Sequence, residues 1–363
     1  MTRLGIIGGG QLGQMLALAA APLGIRTWVL DPVAQACAMP YAEPIVGAYD
    51  DPQALAQLAQ QVDVATFEFE NVPPAAVAQL AKTLRVAPGA QALATARDRW
   101  HEKSLFQELG IATAPVALVN STEDLQAGVA EMGLPAILKT RTLGYDGKGQ
   151  IMLRSPEQVI SAWDELGQVP CILEGFVPFD EEISCLGVRS AQGELRCYDV
   201  VANVHDQGIL YRSQPIANHP LQAQAEAMVS RVLAALDYVG VLALELFRVG
   251  DQLLANEMAP RVHNSGHWSI EGAVSSQFEN HVRAVCGLPL GETRTREPVL
   301  MLNVYGAHPD VAGLLQIPGA CWHDYGKSAR PGRKLGHVTV VAASAAELAE
   351  REQAVATCLR NKR

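Results

Sequence analysis

The sequence predicts a small α/β domain over residues 1–96, a large α+β domain over 97–295 and a small β-rich cap over 296–363. Three observations carry that prediction. Residues 3–95 alternate apolar strand-like runs with Ala-, Leu- and Gln-rich helical patterns, as a parallel sheet with helices on its faces requires. From residue 97 the alternation gives way to longer helices, further strands and a hairpin, and after Pro298 a shorter stretch places two strands around a basic loop. A length of 363 residues also exceeds what one ordinary core accommodates.

In chain order, RLGIIGG, RTWVLDP and DVATFEFEN read as strands, each followed by a helix, and Pro88-Gly89 marks a boundary. RDRWHEKSLFQELG is helical and stops at Gly110. NSTEDLQAGVAEMG opens with Ser121 and Asp124 at capping-box spacing and closes at Gly133. LPAILKT is a short strand ending in Lys139, and CILEGFV is another. AEAMVSRVLAALDYVG is a helix leading into a hairpin, VLALELFRVGDQLLANEMAP, turned around Gly250-Asp251. VLMLNVYG and HVTVVAA supply the strands of the cap.

Composition excludes several function classes. Apolar residues make up 49% and charged residues 18%, which suits a packed globular protein and not a disordered one. With a net charge of −10 and no long Lys/Arg run, a broad basic face for nucleic acid or anionic membrane is not expected. The seven cysteines are scattered and lack a C-x-x-C pair, so reduced thiols and a cytoplasmic location are expected, with neither disulfide framework nor zinc site.

The opening run IIGGGQLGQM has glycines at 8, 10 and 13, and TWVLD ends in Asp31, where a dinucleotide fold places its ribose acid. A strand, a glycine turn and a helix present free backbone N–H groups to phosphate, and that chemistry does not specify NAD. Gly10, Gln11 and Leu12 are therefore candidate phosphate-binding residues, against an NAD-dependent oxidoreductase as the competing reading.

AILKTRTLGYDGKGQ suits ATP instead. Lys139 on a strand can sit on phosphates as a point charge, and the loop from Gly144 through Tyr145, Asp146, Gly147, Lys148 and Gly149 to Gln150 can close over them. It is not a Walker A loop, since Gly149 follows Lys148. The extended stretch Glu174, Gly175, Phe176, Val177 can read an adenine edge with main-chain groups, and Glu182 can accept from ribose hydroxyls. Glu245 lies among LALELF, where a buried charge must be paired or metal-bound. A three-residue hairpin turn sets Glu245 opposite Glu257, and a two-residue turn sets it opposite Asn256. Either way a hard-oxygen cluster suited to Mg2+ results. Arg261, His263, Asn264, Ser265 and His267 follow directly, able to neutralise phosphoryl charge and to hold or relay a proton. Arg330, Arg333 and Lys334 around a Pro-Gly turn form a candidate second phosphate grip facing the opening loop.

Taken together, GGGQLGQM, TFEFENV, DRWHEK, LKTRTLGYDGKGQ, NVHDQGIL, ELF, NEMAPRVHNSGHW and RPGRKLGH resemble the ATP-grasp superfamily, and within it the 5-(carboxyamino)imidazole ribonucleotide synthases of purine biosynthesis. The resemblance runs from residue 8 to 337. It implies a Rossmann-like pre-ATP-grasp domain, a central ATP-grasp domain and a small C-terminal domain. The implied reaction joins ATP, bicarbonate and 5-aminoimidazole ribonucleotide, giving the carboxyamino product, ADP and phosphate. Arg99 and Lys139 would then contact ATP phosphates and His205 would lie in the nucleotide site. Asn256 and Glu257 would complete that site, with Glu245 and Glu257 as Mg2+ ligands. Arg261 and His263 would flank bicarbonate and carboxyphosphate. Glu70, the opening loop and the RPGRK segment would bind the ribonucleotide, and a homodimer is implied. Two departures stand out: Leu143 occupies a position where the family often has glycine, and Gln14 replaces a basic residue. The remaining alternatives are a ligase acting on formate and a non-catalytic nucleotide-binding module.

Overall fold

Residues 2–144, 148–206 and 208–360 are described by the computed structural model. Their strands form three sheets. The first contains β1 (Arg3–Ile7), β2 (Arg26–Asp31), β3 (Glu43–Val46), β4 (Val64–Phe67) and β5 (Arg85–Val86), all parallel in the order β3-β2-β1-β4-β5. Leu4, Ile6 and Ile7 of β1 are fully buried, as the near-continuous apolar run of a doubly covered parallel strand demands. Helix Pro52–Gln61 starts where Asp51 accepts from the Gln53 amide, with proline at its first position.

The second sheet is a four-stranded antiparallel lobe of β6 (Val116–Val119), β7 (Ala136–Thr140), β8 (Gln150–Leu153) and β9 (Cys171–Gly175), in the order β6-β9-β7-β8. Helices Thr122–Met132 and Pro156–Glu165 pack on it around a core of its own. Ser121 caps the first of them by accepting from the Asp124 amide, as its spacing predicts.

The third sheet holds β10 (Glu181–Arg189), β11 (Leu195–Cys197), β12 (Val201–Asp206), β13 (Ile209–Pro215), β14 (Gly240–Val249), β15 (Gln252–Ala259), β16 (Val299–Tyr305), β17 (Ala320–Asp324) and β18 (Lys334–Val341). Its main path is β15-β14-β10-β12-β13-β16-β18-β17. The cap thus differs from an independent sheet. β16 pairs with β13, so the strands after Pro298 extend the central sheet. One apolar cluster runs through all three regions, joining Leu4 and Ile6 to Leu186, Val241 and Trp268 and on to Val299 and Met301. No helix among the described residues is long and apolar enough to cross a membrane.

Candidate active site

A cavity of about 410 Å³ lies between the four-stranded lobe and the large sheet, a size suited to a nucleotide-like ligand. On one wall, Asp98 ends helix Ala90–Arg97 and caps helix Arg99–Glu108, accepting from the Trp100 amide while pairing with Arg141 at 2.6 Å. That cap sets Arg99 at the cavity edge, where its guanidinium donates to the carbonyls of Thr140 and Gly144 at the base of the glycine loop. One turn on, Lys103 is 2% exposed and shares the buried Glu174 carboxylate with Lys139 at 3.0 and 2.5 Å. Burial pushes Glu174 up, but the two ammonium groups override it and hold its carboxyl at about 2. Burial pushes the adjacent Glu102 up to about 8, and its carboxyl accepts from the Met258 amide at 2.6 Å.

The hairpin resolves the alternative left open by turn length. The turn has two residues, pairing Val249 with Gln252, yet Glu245 faces Glu257 and not Asn256. A β-bulge lies between: Leu246 pairs with Ala255, so Asn256 is the extra residue, and two residues of β15 oppose one of β14. Asn256 and Glu257 both line the cavity beside Glu245, and the Asn256 carbonyl accepts from Lys103. Burial and then the Glu245 charge raise the Glu257 carboxyl above the usual range. Burial also acts on Glu245, but the hydrogen bond from His263 Nε2 at 3.0 Å brings it below that range. Among the described residues no group of three or more His, Cys, Asp or Glu is placed to hold a metal ion by itself. Two opposed carboxylates, one of them raised by burial and by its neighbour's charge, fit a divalent cation that draws its other oxygens from phosphate and water.

Other expected residues converge here. Lys148, Gln150, Phe176, Glu182, His205, Arg261, Asn264 and Lys334 line the same cavity, as does Glu70 from the first domain. Glu182 pairs with His205. Burial lowers the His205 imidazole, but that hydrogen bond outweighs it and leaves the group raised. The Glu70 carboxylate is gripped by Arg261 at 2.5 Å, which overrides burial and holds it at about 2. In the extended stretch, the amides of Gly175 and Phe176 donate to Pro115 and Pro135, and the Val177 carbonyl accepts from Phe179. The Val177 amide has no backbone partner among the described residues, which leaves a donor for a ligand edge. Gly149 has φ +70°, and a Cβ there would strike the Thr140 side chain. Tyr145, Asp146 and Gly147 lie outside the described residues.

Two expectations need correction. The opening glycines do not offer all their amides to a ligand. Glu68 accepts from Gly10 N–H at 2.6 Å and Gly13 N–H at 2.8 Å, and Asp31 accepts from Gly9 N–H at 2.7 Å. A Cβ at Gly10 would lie 2.4 Å from Glu68 Oε1, so the spacing here is dictated by docking a carboxylate from the same domain. Asp31 is buried and also accepts from Val33 N–H and Tyr49 O–H, so it is spent on the turn and does not serve a ribose. Gln11 and Leu12 at the start of helix Gln11–Ala20 keep amides without acceptors among the described residues. Second, Ser265 is fully buried and its hydroxyl meets His263 Nδ1 and Ser184, which withdraws it from substrate. His267 is also buried, against Gln277.

The basic C-terminal loop does reach the opening loop. Lys327 Nζ donates to Gln11 Oε1 at 2.6 Å, and Gln14 Nε2 donates to the Asp324 carbonyl. Arg330 and Arg333 lie close enough to depress the Lys327 ammonium, although burial is the larger cause. Lys334 turns the other way, donating to Asn264 at the cavity. Sequence reasoning missed Lys327, Lys103 and Glu68. Lys327 was legible as the first cation of KSARPGRK, and Lys103 as a lysine three residues before the buried Phe106 on one helix face.

Comparison with known proteins agrees with this architecture. Residues 1–97 match a ribonucleotide synthetase preATP-grasp domain, residues 104–278 an ATP-grasp domain, and residues 299–351 a phosphoribosylaminoimidazole carboxylase C-terminal domain. An N5-carboxyaminoimidazole ribonucleotide synthase from Pseudomonas aeruginosa is 56% identical, covering 96% of this chain and 97% of its own. The crystal structure of such a synthetase from Thermus thermophilus superimposes with a TM-score of 0.94 at 49% identity, covering 98% of each chain. An Aspergillus clavatus synthase solved with ADP and 5-aminoimidazole ribonucleotide gives 0.92 at 30% identity over 99% of each. With its three segments matched in order and its length spanned from end to end, the chain belongs to the N5-carboxyaminoimidazole ribonucleotide synthase family.

Proposed function

We propose that the chain catalyses ATP-dependent carboxylation of 5-aminoimidazole ribonucleotide with bicarbonate as the carboxyl source, in purine biosynthesis. Bicarbonate attacks the γ-phosphorus, ADP leaves, and carboxyphosphate forms. The aminoimidazole amine then attacks the carboxyl carbon, the bond to the phosphate oxygen breaks, and phosphate departs as the amine loses a proton. The observation that carries the reading is one cavity holding Lys139 and Arg99 beside the opposed Glu245 and Glu257, with Arg261 and His263 next to them.

Phosphoryl transfer asks chiefly for positioning and positive charge. Lys139, Arg99 and Lys148 supply cations for the phosphates; Phe176 and the Val177 amide face adenine; Glu182 and His205 hold the ribose. Glu245 and Glu257 would hold Mg2+, which neutralises charge on the β- and γ-phosphates when bound. Arg261, braced by Glu70, faces the carboxyphosphate, and His263 hydrogen-bonds its surroundings through Nε2–H. Carboxyphosphate is rapidly lost to water, so the 144–150 loop closing over the cavity and an acceptor amine close by are needed. The ribonucleotide phosphate is assigned to the amides of Gln11 and Leu12 with Lys327, Arg330 and Arg333, and Asn264 and Lys334 to its ring side. Seven free cysteines support a reducing, cytoplasmic setting. A homodimer is the family expectation and is checked by sedimentation.

ADP release with the aminoimidazole ribonucleotide as acceptor should require bicarbonate; formate-dependent, bicarbonate-independent turnover would refute the carboxyl source. Glu257→Gln should fold like the parent and lose nearly all turnover. Parent-like turnover in that variant removes Glu257 from the metal site.

A further inference from the structure

Asn303 on β16 is 1% exposed, a placement that a carboxamide tolerates only when its polar atoms are used. Its Nδ2 donates to the Leu210 carbonyl at 2.8 Å and to Asn264 Oδ1 at 2.7 Å, and its Oδ1 accepts from Asn264 Nδ2 at 3.1 Å. Lys334 Nζ donates to the same Asn264 Oδ1 at 2.8 Å. The strands β13 and β16 pair through Arg212 with Leu302 and Ser213 with Met301. Beyond those pairs side chains join them, since the Leu210 carbonyl accepts from the Tyr305 hydroxyl as well as from Asn303.

Both amides are oriented by partners that have a single role. A backbone carbonyl only accepts, so Asn303 turns its nitrogen to Leu210. An ammonium only donates, so Asn264 turns its oxygen to Lys334. The reciprocal pair between the two amides follows from those two constraints. Asn303 spends both N–H groups on protein acceptors. Asn264, which lines the cavity, spends one and keeps the second without an acceptor among the described residues. Asn303 itself is not among the cavity-lining residues, so any effect on substrate passes through Asn264. We infer that Asn303 is a positioning residue for the reaction: through the amide pair it holds Asn264 with its oxygen on Lys334 and one N–H left for substrate. This side of the cavity then offers donors to acceptor atoms of the ribonucleotide. The inference rests on the assignment of Asn264 and Lys334 to the ring side of that substrate.

Two variants test it in the full-length protein. Asn303→Leu keeps the bulk and removes the amide, whereas Asn303→Asp keeps the shape and puts an acceptor where nitrogen donated. In both, Leu210 retains the Tyr305 hydroxyl, so the wall opposite His205 is still tied to β16. Steady-state kinetics should show KM for the ribonucleotide raised about tenfold in each variant, with KM for ATP within about twofold of the parent. A merely structural defect would move both constants. Asn264→Ala should give a similar rise, and Asn303→Leu placed on top of it should add less than about twofold, because the two residues act as one unit. A parent-like KM for the ribonucleotide in both Asn303 variants overturns the inference, as do equal changes in the two constants or full additivity with Asn264→Ala. Loss of the fold in both variants, read by circular dichroism, assigns Asn303 to stability alone and overturns it too. Each of those results leaves the assignment of Asn264 standing. A parent-like KM in Asn264→Ala instead refutes that assignment, and the inference with it.

Discussion

Lys103 illustrates how much a single buried charge organises. Its ammonium joins the Glu174 carboxylate, which orients Lys139, to the carbonyl of the bulge residue Asn256. A lysine is rarely this buried unless paired, and removing one partner leaves the other charge uncompensated. Lys103→Met should lower stability by about 3 kcal/mol and draw Lys139 wholly onto Glu174. Thermal unfolding should show the loss, and KM for ATP should rise about tenfold. An unaltered KM would separate the pair from nucleotide binding. At this scale the sequence announced Lys139, Glu245 and Glu257, because acids and a lysine in apolar strands demand explanation. It did not assign Lys103, whose partners lie about 70 and 150 positions away.

At the scale of elements, the glycine loop and the hairpin taught opposite lessons. The G-x-G-x-x-G spacing is real, but motif reading cannot see the acceptor that fills it. Glu68 arrives from the end of β4, some 55 residues downstream. Glu68→Ala should strand two N–H groups, at a cost of about 2–4 kcal/mol. Added sulfate should then raise the melting temperature of the variant more than that of the parent, because the vacated amides take an anion. Equal responses would mean that Glu68 does not govern access to the loop. In the hairpin, alternation correctly brought two carboxylates together, although a two-residue turn alone would have set Glu245 against Asn256. The bulge that corrects the register has no local sequence mark: its stabilising contacts come from Lys103 on another helix. Leu143 is the converse case, legible as an oddity against the family's glycine and found at φ +65°, in the left-handed region.

For the molecule as a whole, the joints between regions carry buried neutral histidines. His281 accepts from the Val241 amide at Nδ1, so its hydrogen sits on Nε2 and donates to Thr66 of β4, tying the large domain to the first sheet. Burial lowers its imidazole from 6.5 to about 4, and burial also lowers His267 and His337. A base whose folded value lies below its unfolded value favours the fold fully above the unfolded value. That contribution is lost as pH falls from about 6.5 toward 4, and for His281 it amounts to about 3 kcal/mol. Melting temperature should therefore drop across this window, and His281→Gln should melt lower at neutral pH with a shallower decline. A parallel decline in both proteins would rule out His281 as a contributor. The alternation of strands and helices foretold the first sheet and the hairpin. It did not foretell that the last strands continue the central sheet, because pairing between β13 and β16 joins residues almost ninety apart and leaves no periodic trace.

That continuation bears on how the chain comes off the ribosome. Until residues 299–305 have been synthesised, β13 presents an unpaired edge, and Leu4 and Ile6 wait for core partners some three hundred positions behind them. The amino-terminal sheet can close early, since its five strands are contiguous in sequence. The catalytic sheet cannot. Its nascent form carries an open strand edge of the kind that pairs with other chains, so termination before β16 leaves a polypeptide inclined to associate, and synthesis of β16 covers that edge.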